Sequence, residues 1–535
     1  FMPLRFPSSN AYEYPLLIKQ LLSRSNIAST QNEIVSGTKM RLSYSDLSKR
    51  IRQLSNSLKD YGISEDMCVG VMDWDTHRYL EYFFAVPMMG ATLFTINVRL
   101  SPAQVLYMIN HSQTDLLIVH QDFMSLIDNI KSDFDRDIII VKIGSGEKYE
   151  QWIGDAPIDF HFPDFDENKI ATLFYTSGTT GNPKGVSYSH RQLVLHTLGL
   201  VAGFGAWPGN AGFHRDDVYM PLTPLFHVHG WGFPYAATML GLQQVYPGRF
   251  TPERILHLIA QEGVTFSHCV PTIMSMVLEH SSCQKTDLSN WKVIIGGAAL
   301  PKGLQDRAAA IGISLHSAYG MSETCPFLTV ADLSSDDPKV QAQSGFPGPL
   351  VDIRVVTTDM RDVPHDGETT GEVVVRAPWL TQSYLSNIQS SDELWRGGYL
   401  HTGDVGYIRD NGSLQITDRL KDVIKTGGEW ISSLTLENIA SFCNGVEEVA
   451  AIGLSHAKWG ERPVLVIKPS KDVDPDLVRL NVLEEIQSYI DAGELSKWSV
   501  PDDIIFVKEL PKTSVGKLDK KALRQDFSKH LDLKS

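Results

Sequence analysis

The segment FYTSGTTGNPKGV, residues 174–186, places three glycines, several hydroxyl residues and one lysine between two apolar stretches. Residues 170–175 predict a buried strand, and GVSYSH predicts a second strand before a helix that begins at about Arg191. Glycine lets successive backbone N–H groups turn toward one anion, and Lys184 adds a positive charge. The segment therefore predicts an anion-binding loop between two strands, with a Gly/Thr hairpin turn as the simpler alternative.

This loop does not match a Walker A motif. Pro183 stands five positions after Gly178, where Walker A requires a glycine followed by Lys and then Ser or Thr. Because a strand is predicted directly after the loop, a bound anion would not lie at the N-terminus of a helix.

The composition of the chain indicates which kinds of protein and partner to expect. It has 535 residues, of which 42% are apolar and 21% charged, as in globular proteins of several domains. The net charge of −15 argues against nucleic acid as a partner. Five cysteines without a CxxC pair, and no recognisable signal peptide, predict a cytoplasmic location. Residues 218–248 lack charge but contain four prolines, so they predict a pocket wall and not a transmembrane segment.

The pattern of strands and helices predicts the domain organisation. Residues 44–142 and 190–318 each alternate strands with helices, which favours mainly parallel sheets. After Gly345 short strands with Gly and Asp turns predict an antiparallel or barrel-like sheet. The predicted fold class is α/β: a large N-terminal domain of two α/β sheet subdomains plus a small β-barrel-like subdomain, residues 1–420, and a small α+β C-terminal domain, residues 421–535.

Five further segments carry side chains suited to a nucleotide. They are KVIIGGAAL (292–300), SAYGMSET (317–324), LHTGDVG (400–406), DRLKDVIKTGGEWIS (418–432) and PKTSVGKLDK (511–520). Tyr319 could stack on a base, Glu323 could bind a divalent cation beside phosphates, and Asp404 could accept hydrogen bonds from ribose hydroxyls. Taken singly, each segment has a plainer interpretation as a turn or a solvated charge.

Taken together and in this order, the loop and the motifs YGMSET, TGD, DRLKDVIK and PKTSVGKLDK resemble the adenylate-forming superfamily of acyl-CoA synthetases, luciferases and peptide-synthetase adenylation domains. The likeness extends from about Ser43 to Leu523. The segments TPLFHVHGWGFPYAATMLG and IKTGGEWISSLTLEN further resemble medium- and long-chain fatty acyl-CoA synthetases. The resemblance implies two steps: a carboxylate joins the α-phosphate of ATP with loss of pyrophosphate, and a thiol, usually that of coenzyme A, then displaces AMP.

The resemblance also implies roles for individual residues. Lys517 would bridge the carboxylate and the α-phosphate, and His227 would lie beside the carboxylate. The C-terminal domain would be mobile and would rotate about Lys421 between the steps, which brings Lys425 into the site in place of Lys517. Thr176 and Glu323 would bind Mg²⁺. The predicted ATP- and AMP-binding residues are Thr176, Ser177, Gly178, Thr179, Thr180, Gly181, Lys184, Gly297, Ala298, Ser317, Ala318, Tyr319, Gly320, Met321, Ser322, Asp404, Ile416, Arg419 and Lys421.

Two channels complete the expected site. The acyl pocket is predicted to be lined by Phe226, Trp231, Phe233 and Val270, and the CoA channel by Gly427, Gly428 and Trp430. A tryptophan at position 231 matches one that closes the acyl tunnel in fatty acyl-CoA synthetases; a plain core tryptophan is the alternative. His227 and His229 form an HxH pair without an evident third metal ligand, so packing is expected of His229.

The predicted function is an AMP-forming acid–CoA ligase that uses ATP, Mg²⁺ and coenzyme A. A medium-chain fatty acid is the expected substrate, and a short thioether acid such as 3-methylmercaptopropionate or an aryl acid is an alternative. A luciferase-like oxygenase, a non-catalytic acyl-AMP binder and a freestanding adenylation domain that feeds a carrier protein are the competing classes. A homodimer is the assembly we consider.

Overall fold

The computed structural model describes residues 8–22, 30–38, 40–144, 147–176, 182–426, 429–456, 458–471, 473–514, 516–528 and 530–531, with the backbone alone for Glu147 and Trp430. Helices and strands are numbered along the chain. Within these residues, no helix combines the length and the apolar character that crossing a membrane requires.

The first sheet ends at the glycine loop. Its strand order is β6-β5-β3-β4-β7-β8, parallel except for β8, which returns antiparallel to β7. Its strands are β3 (Cys68–Met72), β4 (Thr92–Thr95), β5 (Leu116–His120), β6 (Ile139–Ile143), β7 (Ile170–Thr176) and β8 (Lys184–Ser189). The helices of this part of the chain are α1 (Tyr44–Asp60), α2 (His77–Met88), α3 (Pro102–His111), α4 (Met124–Ile130), α5 (Glu147–Gly154) and α6 (His190–Gly205). Parallel neighbours need crossover helices, so the predicted alternation is confirmed.

The second sheet is larger and has the order β15-β14-β13-β12-β11-β9-β10-β1-β2. Its central strands are parallel, and antiparallel pairs flank them. The strands are β1 (Glu33–Ser36), β2 (Met40–Ser43), β9 (Val218–Pro221), β10 (Gln243–Tyr246), β11 (Phe266–Cys269), β12 (Lys292–Ile295), β13 (Ser314–Gly320), β14 (Phe327–Val330) and β15 (Phe346–Pro347). The accompanying helices are α7 (Phe233–Leu240), α8 (Pro252–Glu262), α9 (Pro271–Glu279), α10 (Lys302–Ala309) and α11 (Pro338–Gln341).

The third sheet is antiparallel, as the short strands with turns predict. It consists of β16 (Asp352–Val356), β17 (Gly371–Arg376), β18 (Leu400–Ile408) and β19 (Leu414–Arg419), paired in that order, with α12 (Ile388–Leu394) between β17 and β18.

The C-terminal region forms a separate mixed sheet. Its strands are β20 (Ile424–Thr426), β21 (Glu429–Ile431), β22 (Val446–His456), β23 (Gly460–Pro469) and β24 (Asp503–Phe506), and its helices are α13 (Ser433–Ser441), α14 (Pro475–Asp491) and α15 (Lys520–Asp526). Buried residues of α13, α14 and the sheet form a core of their own. The predicted class, two α/β sheet subdomains with a small β subdomain and a small α+β C-terminal domain, is therefore confirmed.

The candidate site lies at the carboxyl ends of strands. Thr176 ends β7, Val270 follows β11, Gly297 follows β12 and Gly320 ends β13. In open α/β sheets, ligands bind at this end of the strands.

Candidate active site

The glycine loop connects the paired ends of β7 and β8. Thr176 is the residue opposite Lys184 in this antiparallel pair, so both lie at the same end of the sheet. The predicted strand after the loop is present, so a helix N-terminus does not directly follow the loop. The predicted phosphate ligands Ser177, Gly178, Thr179, Thr180 and Gly181 lie outside the described residues.

Tyr384 contacts both the predicted metal ligand and the predicted phosphate ligand. Its hydroxyl donates to Oε1 of Glu323 at 2.7 Å, and the ammonium of Lys184 lies 4.6 Å from the centre of its ring. Glu323 is buried in the short 3-10 turn Ser322–Thr324. Three side chains from separate segments therefore meet beside the glycine loop.

The oxygen donors predicted to bind a metal are compatible with Mg²⁺. A carboxylate from Glu323 and a hydroxyl from Thr176 are hard oxygen ligands of the type that Mg²⁺ takes in phosphate-transfer sites. The described part of the chain contains no cluster of three or more His, Cys, Asp and Glu side chains that could hold a metal ion. A cation at Glu323 would therefore need phosphate oxygens and water to complete its coordination.

Asp404 is engaged by two neighbouring side chains. It lies on β18 opposite Arg419 of β19, and the Arg419 Nε is 3.1 Å from its Oδ1. The hydroxyl of Tyr319 donates to Oδ2 at 2.7 Å. The Asp404 carboxylate raises the pKa of Arg419, and burial raises that of Tyr319, so both remain protonated donors. Tyr319, which the sequence suggests for base stacking, thus also orients the predicted ribose ligand.

The other predicted AMP-binding residues follow the ends of β12 and β13. Gly297 has φ +78°, a left-handed conformation that favours glycine. A Cβ on Gly320 would lie 1.7 Å from the carbonyl oxygen of Pro326, so close packing of β13 on the next segment explains this glycine. Ser317 is buried, Ala298 is exposed, and Ala318, Met321 and Ser322 are at the same strand end. Ile416 lies on β19, and Lys421 lies in the turn after it.

Lys517 lies in the cleft, although it belongs to the C-terminal region. Its Cε is 2.9 Å from the position that a Cβ on Gly297 would occupy. Residues 511–519, which we call the Lys517 loop, are closed by the bridge between Lys512 and Leu518. This brings Lys517 next to the predicted adenine frame, more than 200 residues away in sequence.

Three N-terminal residues bind the Lys517 loop. The amide of Asn97 donates to Oγ of Ser514 at 2.9 Å, and Nη1 of Arg99 donates to the Ser514 carbonyl at 3.3 Å. The hydroxyl of Thr272 donates to the Gly516 carbonyl at 2.9 Å. The loop is therefore docked on residues that follow β4 and β11.

The surroundings of Lys517 lower the pKa of its ammonium group. Burial lowers the pKa of Lys517 to about 8, and the positive charge of Arg419 acts in the same direction. The carboxylates of Asp404 and Glu323 act against this shift. At neutral pH the ammonium form still predominates, and its charge is held in a cleft suited to an anion.

His227 lies within electrostatic reach of this lysine. Burial, reinforced by the positive charge of Lys517, lowers the pKa of His227 to about 3. The imidazole is therefore neutral at physiological pH and can offer a hydrogen bond to a carboxylate without carrying a charge.

A left-handed turn follows His227. The φ angles of Val228, His229, Gly230, Trp231 and Gly232 all lie between +47° and +78°. Left-handed backbone costs roughly 1–2 kcal/mol for each non-glycine residue, so packing must hold this turn. His229 provides part of it: the ring is buried, and its Nε2 lies 2.8 Å from Oγ1 of Thr172. The expected packing role of His229 matches this position.

The predicted acyl-pocket residues are all buried. The Trp231 ring lies 2.9 Å from the position of a Cβ on Gly296, and its centre is 5.2 Å from that of His268. Phe233 stacks on the same histidine, with the ring centres 4.8 Å apart. Val270 lies against Gly297, whereas Phe226 lies 5.9 Å from the guanidinium of Arg99. Trp231 thus lies against Gly296 and Val270 against Gly297, so both border the nucleotide cleft, whereas Phe233 lies deeper in the core.

The residues predicted for the second step lie on the C-terminal sheet. Lys425 is exposed on β20, and its backbone N–H donates to Glu461 at 2.9 Å. It pairs with Trp430 of β21, whose side chain is outside the described residues, as are Gly427 and Gly428. In this conformation Lys517, and not Lys425, is placed at Gly297.

Sequence analysis missed Asn97, Arg99, Thr272 and Tyr384. The first three follow the carboxyl ends of β4 and β11, so the rule that ligands bind at strand ends could have found them. Tyr384 lies in an irregular segment and carries no comparable signal.

Two family models match this chain. The model of the AMP-binding enzyme family matches residues 24–385, and that of the AMP-binding enzyme C-terminal domain matches residues 435–517. The chain belongs to the AMP-binding enzyme family. This confirms the predicted membership of the adenylate-forming superfamily.

Two relatives align along almost the whole chain. A long-chain-fatty-acid–CoA ligase of Thermus thermophilus is 34% identical over 98% of this chain and 98% of its own length. A 3-methylmercaptopropionyl-CoA ligase of Ruegeria lacuscaerulensis is 36% identical over 96% of this chain and 97% of its own length. With the family match, they confirm the predicted enzyme class, an AMP-forming acid–CoA ligase.

A solved structure supports the fold. The anthranilate CoA ligase AuaEII in complex with anthranoyl-AMP superimposes with a TM-score of 0.87 at 24% identity, and covers 97% of this chain and 99% of its own. At this identity the likeness concerns the fold alone.

Proposed function

We propose that this ligase activates an apolar, straight-chain carboxylic acid of medium length with ATP and transfers the acyl group to coenzyme A. The observation that carries the proposal is the position of Lys517, whose Cε lies against Gly297 at the end of β12, inside the nucleotide cleft. A lysine held there suits a reaction in which a carboxylate attacks the α-phosphate.

In the first step, a carboxylate oxygen forms a bond to the α-phosphorus while the bond to pyrophosphate breaks. Lys517 contributes positive charge where the carboxylate and the α-phosphate meet, and neutral His227 donates a hydrogen bond to the acid. Asp404, oriented by Tyr319 and Arg419, accepts hydrogen bonds from the ribose. Lys184 holds the leaving pyrophosphate. Fixed charges of this kind typically contribute about 10²–10³ in rate.

Glu323 and Thr176 are the residues that would hold a Mg²⁺ ion, which would offset the charge of the leaving group. Glu323 is prepared for this role because Tyr384 fixes one of its oxygens at 2.7 Å.

In the second step, the thiol sulfur of coenzyme A forms a bond to the acyl carbon, AMP leaves with the bonding electrons, and the thiol proton is released. We propose that the C-terminal domain, residues 421–535, rotates about Lys421 between the steps. The rotation withdraws Lys517 and brings Lys425 and the segment of Gly427, Gly428 and Trp430 to the thiol channel. The exposed position of Lys425 in the present conformation fits this sequence of events.

The composition of the predicted acyl pocket supports an apolar acid. Phe226, Trp231 and Val270 are buried near the cleft, and no acidic or basic side chain is among the predicted pocket residues. A short thioether acid is the second candidate, because the Trp231 ring lies against Gly296 and would limit the length of an acid bound there.

Release of AMP, measured with coenzyme A and a panel of straight-chain, thioether and aryl acids, tests the proposal. We expect the largest kcat/KM with a medium-chain acid, and Trp231→Ala should shift the preference to longer chains. The highest kcat/KM with a thioether or aryl acid would reject the medium-chain assignment. An unchanged chain-length profile in Trp231→Ala would indicate that Trp231 is a core residue without a role in the acyl tunnel. Oxygen consumption without thioester formation would favour the oxygenase class.

A further inference from the structure

We call the region of Lys184, Tyr384 and Glu323 the phosphate end of the cleft. Tyr384 lies in a short segment that is hydrogen-bonded to both sides of this region. The N–H of Leu385 donates to the Gly185 carbonyl at 2.9 Å, and Tyr384 itself forms an antiparallel bridge with Val186. Three residues before Tyr384, the N–H of Thr381 donates to the carbonyl of Glu323 at 3.0 Å. The backbone of this segment is thus fixed relative to β8 and to the turn of Glu323.

The side chain of Tyr384 lies between two opposite charges. Its hydroxyl donates to Oε1 of Glu323 at 2.7 Å, while its ring faces the ammonium of Lys184, 4.6 Å from the ring centre. Tyr384 and Glu323 are both buried, at 8% and 7% exposure, so water does not compete strongly for these contacts.

We propose that Tyr384 is a positioning residue that keeps Glu323 oriented toward a divalent cation and Lys184 toward the phosphates. The inference rests on the proposed roles of Glu323 and Lys184 in the adenylation step. Neither family resemblance nor motif spacing assigns Tyr384 a role in this chain.

The physical reason is the separation of the two charges. Without the phenol, the Glu323 carboxylate and the Lys184 ammonium could pair with each other, and binding of a cation with ATP would first have to break that pair. A cation–π contact orients the ammonium without using an oxygen acceptor, so the N–H groups that point away from the ring remain for phosphate oxygens. The hydroxyl occupies only one carboxylate oxygen, so Oε2 remains for the cation.

Two variants of Tyr384 separate its contacts. Tyr384→Phe removes the hydroxyl but keeps the ring under Lys184, and Tyr384→Leu removes both. Tyr399→Phe is the matched control, because the Tyr399 hydroxyl donates to Asp352 at 3.0 Å on the antiparallel sheet, outside the proposed site.

Binding is measured without turnover, with Mn²⁺ as the probe and α,β-methylene-ATP as the nucleotide, by electron paramagnetic resonance. We expect Tyr384→Phe to weaken Mn²⁺ binding by about 10-fold, the size typical of lost partners behind a metal ligand. Tyr384→Leu should also weaken the nucleotide, and Tyr399→Phe should match the wild type. In ATP–pyrophosphate exchange, Tyr384→Phe should need more Mg²⁺ but keep the KM for the acid.

Mn²⁺ affinity within about twofold of the wild type in Tyr384→Phe would overturn the inference. So would a lower thermal unfolding midpoint of the ligand-free variant with unchanged Mn²⁺ affinity, which would indicate a structural role only. Failure of the ligase proposal gives a different result: the wild type would release no AMP with any acid of the panel, whereas the Mn²⁺ comparison would still stand.

Discussion

The phosphate end of the cleft and the Lys517 loop are held in different ways. At the phosphate end, Lys184, Tyr384 and Glu323 come from N-terminal segments that are joined to one another by backbone hydrogen bonds. The Lys517 loop comes from the C-terminal region and is bound by hydrogen bonds from Asn97, Arg99 and Thr272.

This difference separates a permanent part of the site from a removable one. Each hydrogen bond to the loop contributes about 0.5–1.5 kcal/mol. Their combined effect is of the same order as the few kcal/mol that separate interconverting conformations of many proteins. The phosphate end would have to lose backbone pairing to move, whereas Lys517 can leave at moderate cost. We infer that the phosphate end stays in place through both steps, whereas Lys517 takes part only in the first.

The largest effect is expected when Lys517 is removed. Lys517→Ala should lower ATP–pyrophosphate exchange by about 10²–10³, because the charge between the carboxylate and the α-phosphate is lost. Asp404→Ala is the control, since loss of a residue that binds AMP should impair both half-reactions. If Lys517→Ala keeps an exchange rate close to that of the wild type, another residue must supply the positive charge.

A smaller effect should follow from pH. Because the pKa of Lys517 is lowered to about 8, its charge is present below this pH and is lost above it. The kcat/KM for ATP in the exchange reaction should therefore fall about 10-fold between pH 7 and pH 9. Lys517→Arg should move the decline to higher pH. A flat profile over this range in the wild type would show that the charge of Lys517 does not limit adenylation.

Two neighbouring glycines allow a matched comparison. Gly297→Ala adds a Cβ 2.9 Å from Cε of Lys517 at a residue with φ +78°, and should lower exchange by roughly 5- to 10-fold. Gly296→Ala adds a Cβ 2.9 Å from the Trp231 ring, and should alter the acyl chain-length profile instead. Equal effects of the two variants on exchange and on chain length would contradict the separate assignments.

The smallest effect is expected at the docking contacts of the loop. Thr272→Val keeps the side-chain shape but removes the donor to the Gly516 carbonyl, and should lower exchange by about 2- to 10-fold. Thioester formation from supplied acyl-AMP should be unchanged or faster, since Lys517 leaves more readily. A slower second half-reaction would show that Thr272 acts in both conformations.

Motif-bearing residues of this site could be predicted from the sequence, whereas contacts between motifs could not. Lys517, Asp404 and Arg419 could be named because the motifs that contain them resemble those of the adenylate-forming superfamily, and the structure places all three at the cleft. The hydrogen bond from Tyr319 to Asp404 joins residues 85 positions apart and depends on how two sheets meet. Tyr384 reaches Glu323 from an irregular segment, and no periodicity marks such a residue.

The left-handed turn after His227 shows a second limit. A valine, a histidine and a tryptophan adopt positive φ angles there, contrary to their local preference. Only tertiary contacts, such as that between His229 and Thr172, make this backbone the stable one. Local propensity therefore predicts the strands and helices around the site better than the turn that carries Trp231.

The most direct test of the central claim is the second half-reaction of Lys517→Ala, measured as thioester formation from supplied acyl-AMP and coenzyme A. If Lys517 serves adenylation alone, this rate should be close to that of the wild type while ATP–pyrophosphate exchange is lost. Equal loss of both activities would contradict the account, because it would mean that Lys517 stays in the site during thioester formation.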